Sequence, residues 1–156
     1  CEYIDSEFLG LFLNKHRQLK KIDFSHMNNN ITVSVAIAKW TKNITYLNFS
    51  YPDGSVNDLD MALICSHCKE LIYIDLSCTF ISEKTASVIA IGCKKLKTLL
   101  VPYTGMNNNG VITLLKHIPR LHFLDVRFTL VTKDVLKTLK IYPDLSYRID
   151  KMLLYY

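Results

Sequence analysis

Leu71-Ile72-Tyr73-Ile74-Asp75-Leu76-Ser77 and Leu121-His122-Phe123-Leu124-Asp125-Val126-Arg127 share one pattern, Leu-x-x-Leu-x-Leu-x. Its apolar positions recur at Leu19-Ile22-Phe24, Ile44-Leu47-Phe49 and Leu96-Leu99-Val101. Successive first positions lie 25, 27, 25 and 25 residues apart. Side chains alternate across an extended strand. The fourth and sixth positions therefore enter a core, while the third, fifth and seventh point away from it.

After each strand pattern the apolar residues take on the period of a helix. In the unit from Leu71, Ser77-Cys78-Thr79-Phe80 turns the chain and Ile81 re-enters the core. Ser82 is placed as N-cap, with Glu83 at the positive helix end. Ala86, Ile89, Ala90 and Cys93 then fall three or four apart on one helical face. Gly92 near the helix end is read as a position that accepts a left-handed backbone. Pro52-Asp53-Gly54 makes a longer turn in the unit from Ile44, because Pro sets φ and Gly tolerates positive φ. Met106 opens the helix-forming part of the fourth full unit, and Val131-Thr132-Lys133-Asp134 that of the fifth.

A strand-plus-helix unit of this length resembles the leucine-rich repeat. The resemblance implies an α/β solenoid: a short right-handed horseshoe, with a parallel sheet on the concave side and helices on the convex side. One domain spans 1–156, with a partial repeat at 1–18 and repeats at 19–43, 44–70, 71–95, 96–120 and 121–144. A C-terminal cap occupies 145–156. Cys1-Glu2-Tyr3-Ile4 matches Cys78-Thr79-Phe80-Ile81, so the chain is expected to open within a repeat, its N-terminal end covered by upstream repeats or by another subunit. In the unit from Leu145, Tyr147 is assigned to the third position, and Arg148 and Asp150 fall in apolar slots.

Bulk composition bounds the function. With 49% hydrophobic and 21% charged residues among 156, the chain is expected to fold rather than stay disordered. The net charge of +5 is mild, and no run of five or six Lys or Arg marks a nucleic-acid arm. Apolar stretches such as 8–13 are far too short for a membrane span. Five cysteines, an odd number, fit a reducing compartment better than a disulfide framework. The expected location is intracellular, cytoplasmic or nuclear, with mitochondrial and ciliary sites as alternatives. Three Asn-x-Ser/Thr sequons, at Asn30, Asn43 and Asn48, fall in an Asn-rich chain and are read as chance.

Leu71-x-x-Ile74-x-Leu76-Ser77-Cys78-x-x-Ile81-Ser82, followed by Ile89-Ala90-Ile91-Gly92-Cys93-Lys94-Lys95-Leu96, resembles the cysteine-containing subtype of the repeat. In that subtype one Cys follows the strand and another ends the helix. It is typical of F-box/leucine-rich-repeat proteins and their relatives, which recruit substrates to cullin-type ubiquitin ligases. The stretch before residue 4 has no room for F-box helices. The resemblance therefore implies the substrate-recognition part, acting as a scaffold or adaptor without catalysis. The same repeat occurs in structural subunits of cilia and in the mitochondrial factor B family associated with ATP synthase, which implies the alternative role of a structural subunit.

No motif proposes an enzyme or a cofactor. Cys65-Ser66-His67-Cys68 has the look of half a zinc site, but the repeat places Cys65 and Cys68 on the core face of their helix, and no second ligand pair is visible. No phosphate loop occurs, and His16, His26, His67, His117 and His122 form no nucleophile–base motif.

The outward strand positions carry the strongest signal. Stacked at about 5 Å, the third positions form a column of Lys21, Tyr46, Tyr73, Thr98 and Phe123. The fifth positions give Asp23, Asn48, Asp75, Leu100 and Asp125, and the seventh Ser25, Ser50, Ser77, Pro102 and Arg127. Just beyond lie His26, Tyr51, Cys78, Tyr103 and Phe128. An aromatic stripe beside an interrupted acidic stripe suits a protein partner presenting a basic, Arg- or Lys-containing segment. The expected contact residues are Lys21, Asp23, Tyr46, Asn48, Tyr73, Asp75, Phe123, Asp125 and Arg127.

Overall fold

The computed structural model describes residues 6–26, 31–51 and 56–149. The opening at 1–4, the turn at 52–54 and the segment 150–156 lie outside the described residues. Helices and strands alternate: α1 (Ser6–Lys15), β1 (Lys21–Asp23), α2 (Ile31–Trp40), β2 (Tyr46–Asn48), α3 (Asp58–His67), β3 (Tyr73–Asp75), α4 (Glu83–Gly92), β4 (Thr98–Leu100), α5 (Asn108–His117) and β5 (Phe123–Asp125). A 3-10 turn (Lys133–Val135) then runs into a one-turn α6 (Leu136–Leu139) and β6 (Ser146–Arg148). The strands form one parallel sheet in chain order, the α/β solenoid that the period predicts.

Register advances by one repeat at each step. Lys21 pairs with Tyr46, Tyr46 with Tyr73, Tyr73 with Thr98 and Thr98 with Phe123. The core lies between this sheet and the helices. Leu71, Ile74, Leu76, Ile89 and Cys93 are wholly buried in it, and so are their counterparts Leu96, Leu99, Val101 and Leu114.

The strand ends differ from what residue preference suggests. His26, Tyr51, Cys78, Tyr103 and Phe128, one per repeat, all have φ between 55° and 61°. That left-handed conformation costs a non-glycine residue about 1–2 kcal/mol. Hydrogen bonds on each side hold it. The amides of His26, Tyr51, Cys78 and Tyr103 donate to the carbonyls of Ser50, Ser77, Pro102 and Arg127 in the next repeat. The hydroxyls of Thr79, Thr104 and Thr129 donate to Leu76, Val101 and Val126 carbonyls at 2.6–2.7 Å.

A second ladder joins the helix starts. Asp58 accepts from the Ser82 amide (2.9 Å), the Ser82 hydroxyl (2.6 Å) and the Thr85 hydroxyl (2.6 Å). One repeat on, Asn107 donates to Glu83, and beyond that Asn108 donates to Thr132. The first residues of α3, α4 and α5 thus hold the N-cap position of the following unit. Burial raises the Asp58 carboxyl pKa, but these hydrogen bonds outweigh it and hold the group below its ordinary 3.8.

Gly92 is not a left-handed terminus. It is the last residue of α4, and a Cβ there would stand 2.3 Å from the Cys65 carbonyl oxygen. Its small size lets α4 lie against α3.

The last strand also differs from expectation. Ser146, not Tyr147, pairs with Phe123, and Tyr147 pairs with Leu124. The closing unit is one residue shorter. This shift gives Tyr147 and Ile149 the inward slots, with Ile149 packed on the core, and frees Arg148. Its guanidinium lies over the Phe123 ring, 5.6 Å from the centroid.

Both the helix contact and the N-cap ladder can be tested through stability. Gly92→Ala forces helix backbones apart and should cost about 1–3 kcal/mol in urea unfolding; an unchanged midpoint would show that the helices have slack. Asp58→Asn should cost about 1–2 kcal/mol at pH 7. Because the folded pKa is depressed, the carboxylate's contribution is complete above pH 4 and vanishes as pH falls through the lowered value. Variant and parent should therefore converge in acid, and a constant difference from pH 7 to pH 2 would remove the charge from the explanation.

Candidate functional site

The open sheet face is built from three-residue strands, so few side chains define it. Down the third-position column, Lys21 is exposed, and Tyr46, Tyr73, Thr98 and Phe123 are half-buried. The Tyr46 and Tyr73 rings stack at 4.4 Å with planes 8° apart. Lys21 Nζ lies 5.8 Å from the Tyr46 centroid. Together with Arg148 on Phe123, a cation of this chain closes each end of the aromatic column. Burial and then the Asp75 charge push the Tyr73 phenol up, with further contributions from Tyr46 and Asp23.

The fifth and seventh columns are more enclosed than their outward phase suggests. Asp23 is exposed, but Asn48 and Asp75 are each 9% exposed and Asp125 only 3%. Short side chains here bond their own backbone two residues on. Asp23, Asn48, Asp75 and Asp125 accept from the amides of Ser25, Ser50, Ser77 and Arg127 at 2.9–3.2 Å. The Arg127 guanidinium closes on both Asp125 oxygens, the shortest contact being 2.7 Å. Asn48 also donates to Asp23 at 3.2 Å, so its sequon nitrogen is occupied in the fold. Burial pushes the Asp23 carboxyl up, yet the bonds from Ser25 and Asn48, with His26 nearby, bring it below its ordinary value.

The expected acidic stripe is thus mainly a row of strand-end caps. The reason is local: an Asp or Asn at the fifth position finds a backbone donor before it finds solvent. Ser50, Ser77 and Pro102 of the seventh column are buried as well. What remains outward is the third column and, beyond the strand ends, a ridge in which His26 stacks on Tyr51 (5.1 Å) and Tyr103 on Phe128 (4.5 Å). Arg148 belongs to this face although the leucine count places it inward; the alternation of Tyr147 and Ile149 was the signal for it.

The cysteines are core residues. Cys65, Cys68 and Cys93 are buried, and His67 of the same short motif is exposed, its ring nitrogen 2.7 Å from the Ser66 hydroxyl. A hydrogen bond with Cys93, then burial, hold the Cys65 thiol well above its ordinary pKa. Burial pushes Cys68 up to about 11. Among the described residues, no three His, Cys, Asp or Glu side chains gather as a metal site requires.

Basic residues collect where helices end and strands begin. Lys69 and Lys94 donate to the carbonyls of Cys65 and Ala90 in their own last turns, and Lys95 pairs with Glu70 at 2.5 Å. These contacts offset the negative helix ends. Among the described residues, no helix is long and apolar enough to cross a membrane.

No family model matches the sequence, and no curated protein matches it. Among solved structures, the chain is similar to an internalin C2 from Listeria monocytogenes, with a TM-score of 0.66 over 94% of this chain at 14% identity. It spans 56% of that chain. The fold is a leucine-rich-repeat solenoid, in which each unit packs on its neighbours.

Under native conditions iodoacetamide should leave Cys65, Cys68 and Cys93 unmodified and should label Cys78, which is partly exposed. Peptide mass spectrometry reads each site. Fast native labelling of Cys65 or Cys68 would contradict their placement in the core.

Proposed function

We propose that the chain is a non-catalytic recognition module that holds a partner protein across its open sheet face. The observation that carries this reading is the solvent-facing Tyr46–Tyr73 stack, continued through Thr98 to Phe123. Half-buried aromatics aligned in one column give contact area at small entropic cost and are enriched at binding hot spots. Lys21, Asp23, Tyr46, Tyr73 and Phe123 lie closest to such a partner, with Arg127 at the margin. Asn48, Asp75 and Asp125 shape the face from beneath.

The finer reading is the substrate-recognition part of an F-box-type ubiquitin ligase receptor, supported by the cysteine-containing repeats. A second reading is a structural subunit fixed within a large assembly. Phe8, Leu11 and Phe12 of α1 favour it, being 66%, 58% and 43% exposed on one helix. An apolar helix face of that kind suits a permanent cover, from upstream repeats or another subunit. Both readings place the protein inside the cell.

Affinity capture with the intact parent protein tests the proposal. Tyr46→Ala with Tyr73→Ala should lower partner recovery by about 30-fold, as loss of a hot spot does, while circular dichroism stays unchanged. Lys84→Ala on the helix face should not affect recovery. Undiminished capture by the tyrosine variant would move the site to the helices or the sheet edges. Co-purification of a cullin ligase core would favour the receptor, and a fixed-stoichiometry assembly without it the structural subunit.

A further inference from the structure

The aromatic column has one gap, at β4. Tyr46 is covered on one side by Lys21 and on the other by Tyr73. Phe123 is covered on one side by Arg148. Among the described residues, Thr98 alone stands between Tyr73 and Phe123 in the register. Two strand spacings set these aromatic positions about 10 Å apart. A flat group midway would lie about 5 Å from each ring, inside the roughly 6 Å reach of a cation–π contact. Two flat groups would not fit, since three stacking gaps of about 3.5 Å already exceed that span.

The surroundings select charge as well as shape. The two covered ends of the column already hold cations of this chain, Lys21 over Tyr46 and Arg148 over Phe123. Beside the gap, Asp75 uses Oδ1 for both its bonds to Ser77. Among the described residues, Oδ2 has no hydrogen-bond donor: of its two register neighbours, Leu100 offers none and the Asn48 amide donates to Asp23. Arg127 does not cancel this charge, being closed on Asp125.

We infer that the gap over Thr98 is a subsite for one arginine side chain of the partner, its guanidinium sandwiched between Tyr73 and Phe123. This rests on the open sheet face being the binding surface and names the chemical group that it reads. Arginine suits the slot better than lysine because it is planar and stacks on both rings, whereas an ammonium is a hydrated point charge.

The probes are blocked pentapeptides, Gly-Gly-Arg-Gly-Gly and its lysine and citrulline counterparts, titrated into the full chain and followed by NMR of the Tyr73 and Phe123 rings. The arginine peptide should shift both rings, and its own side-chain protons should move upfield. Citrulline keeps the plane and loses the charge, so it should bind about tenfold more weakly; lysine should also be weaker. Thr98→Phe, on the open face, should fill the gap and abolish the arginine shifts. Equal binding of arginine and citrulline, or shifts confined to other residues, would overturn the subsite whether or not the variant folds. If the tyrosine variant loses its partner while the arginine peptide moves neither ring, the face binds but the slot does not. If the peptide binds in the slot while that variant keeps its partner, the slot stands and the partner sits elsewhere.

Discussion

Each repeat carries an apolar stripe that it cannot bury by itself. A three-residue strand and a ten-residue helix leave both sides of every unit open, and only the neighbouring units close them. Each fully buried Val, Leu, Ile or Phe contributes about 1.5–3 kcal/mol, and each unit from β2 to β5 sends two such side chains, at the fourth and sixth positions, into the common core. This requirement fixes the spacing near 25 residues. The same spacing aligns every other position into a column.

Polar ladders convert that alignment into a defined register. At the strand ends, five left-handed residues sit in a conformation unfavourable to them. Inter-repeat amide bonds at four of these turns and buried threonine hydroxyls at three offset a cost of about 1–2 kcal/mol per turn. At the helix starts, Asp58, Glu83 and Asn108 reach the following N-cap position. Both ladders run between repeats, so local stability and stacking are one property.

The arrangement of β1 to β5 was legible from the leucine pattern alone, because burial drives it. The register of β6 was not: counting from Leu145 put Arg148 inward, while the shorter closing unit gives the inward slots to Tyr147 and Ile149. The left-handed turns left no trace in residue type, since His, Tyr, Cys and Phe stand where Gly or Asn would be comfortable. Thr79, Thr104 and Thr129, at intervals of 25, did mark the turn. In the candidate site the third-position column was readable as it stands. The fifth was misjudged, because alternation gives the direction of a side chain but not the backbone donor waiting there. Gly92 shows the same limit, its role being set by a neighbouring helix that no local pattern reveals.

The dependence of each repeat on its neighbours is tested most directly by native-state amide exchange. The amides of Phe49, Leu76 and Val101, which donate to the next repeat near the middle of the stack, should be the most protected. Protection should fall toward Phe24 at one end and Val126 at the other. Exchange of Leu76 and Val101 faster than these end positions, or as fast as exposed loops, would contradict a stack held together by its neighbours and the aligned face that depends on it.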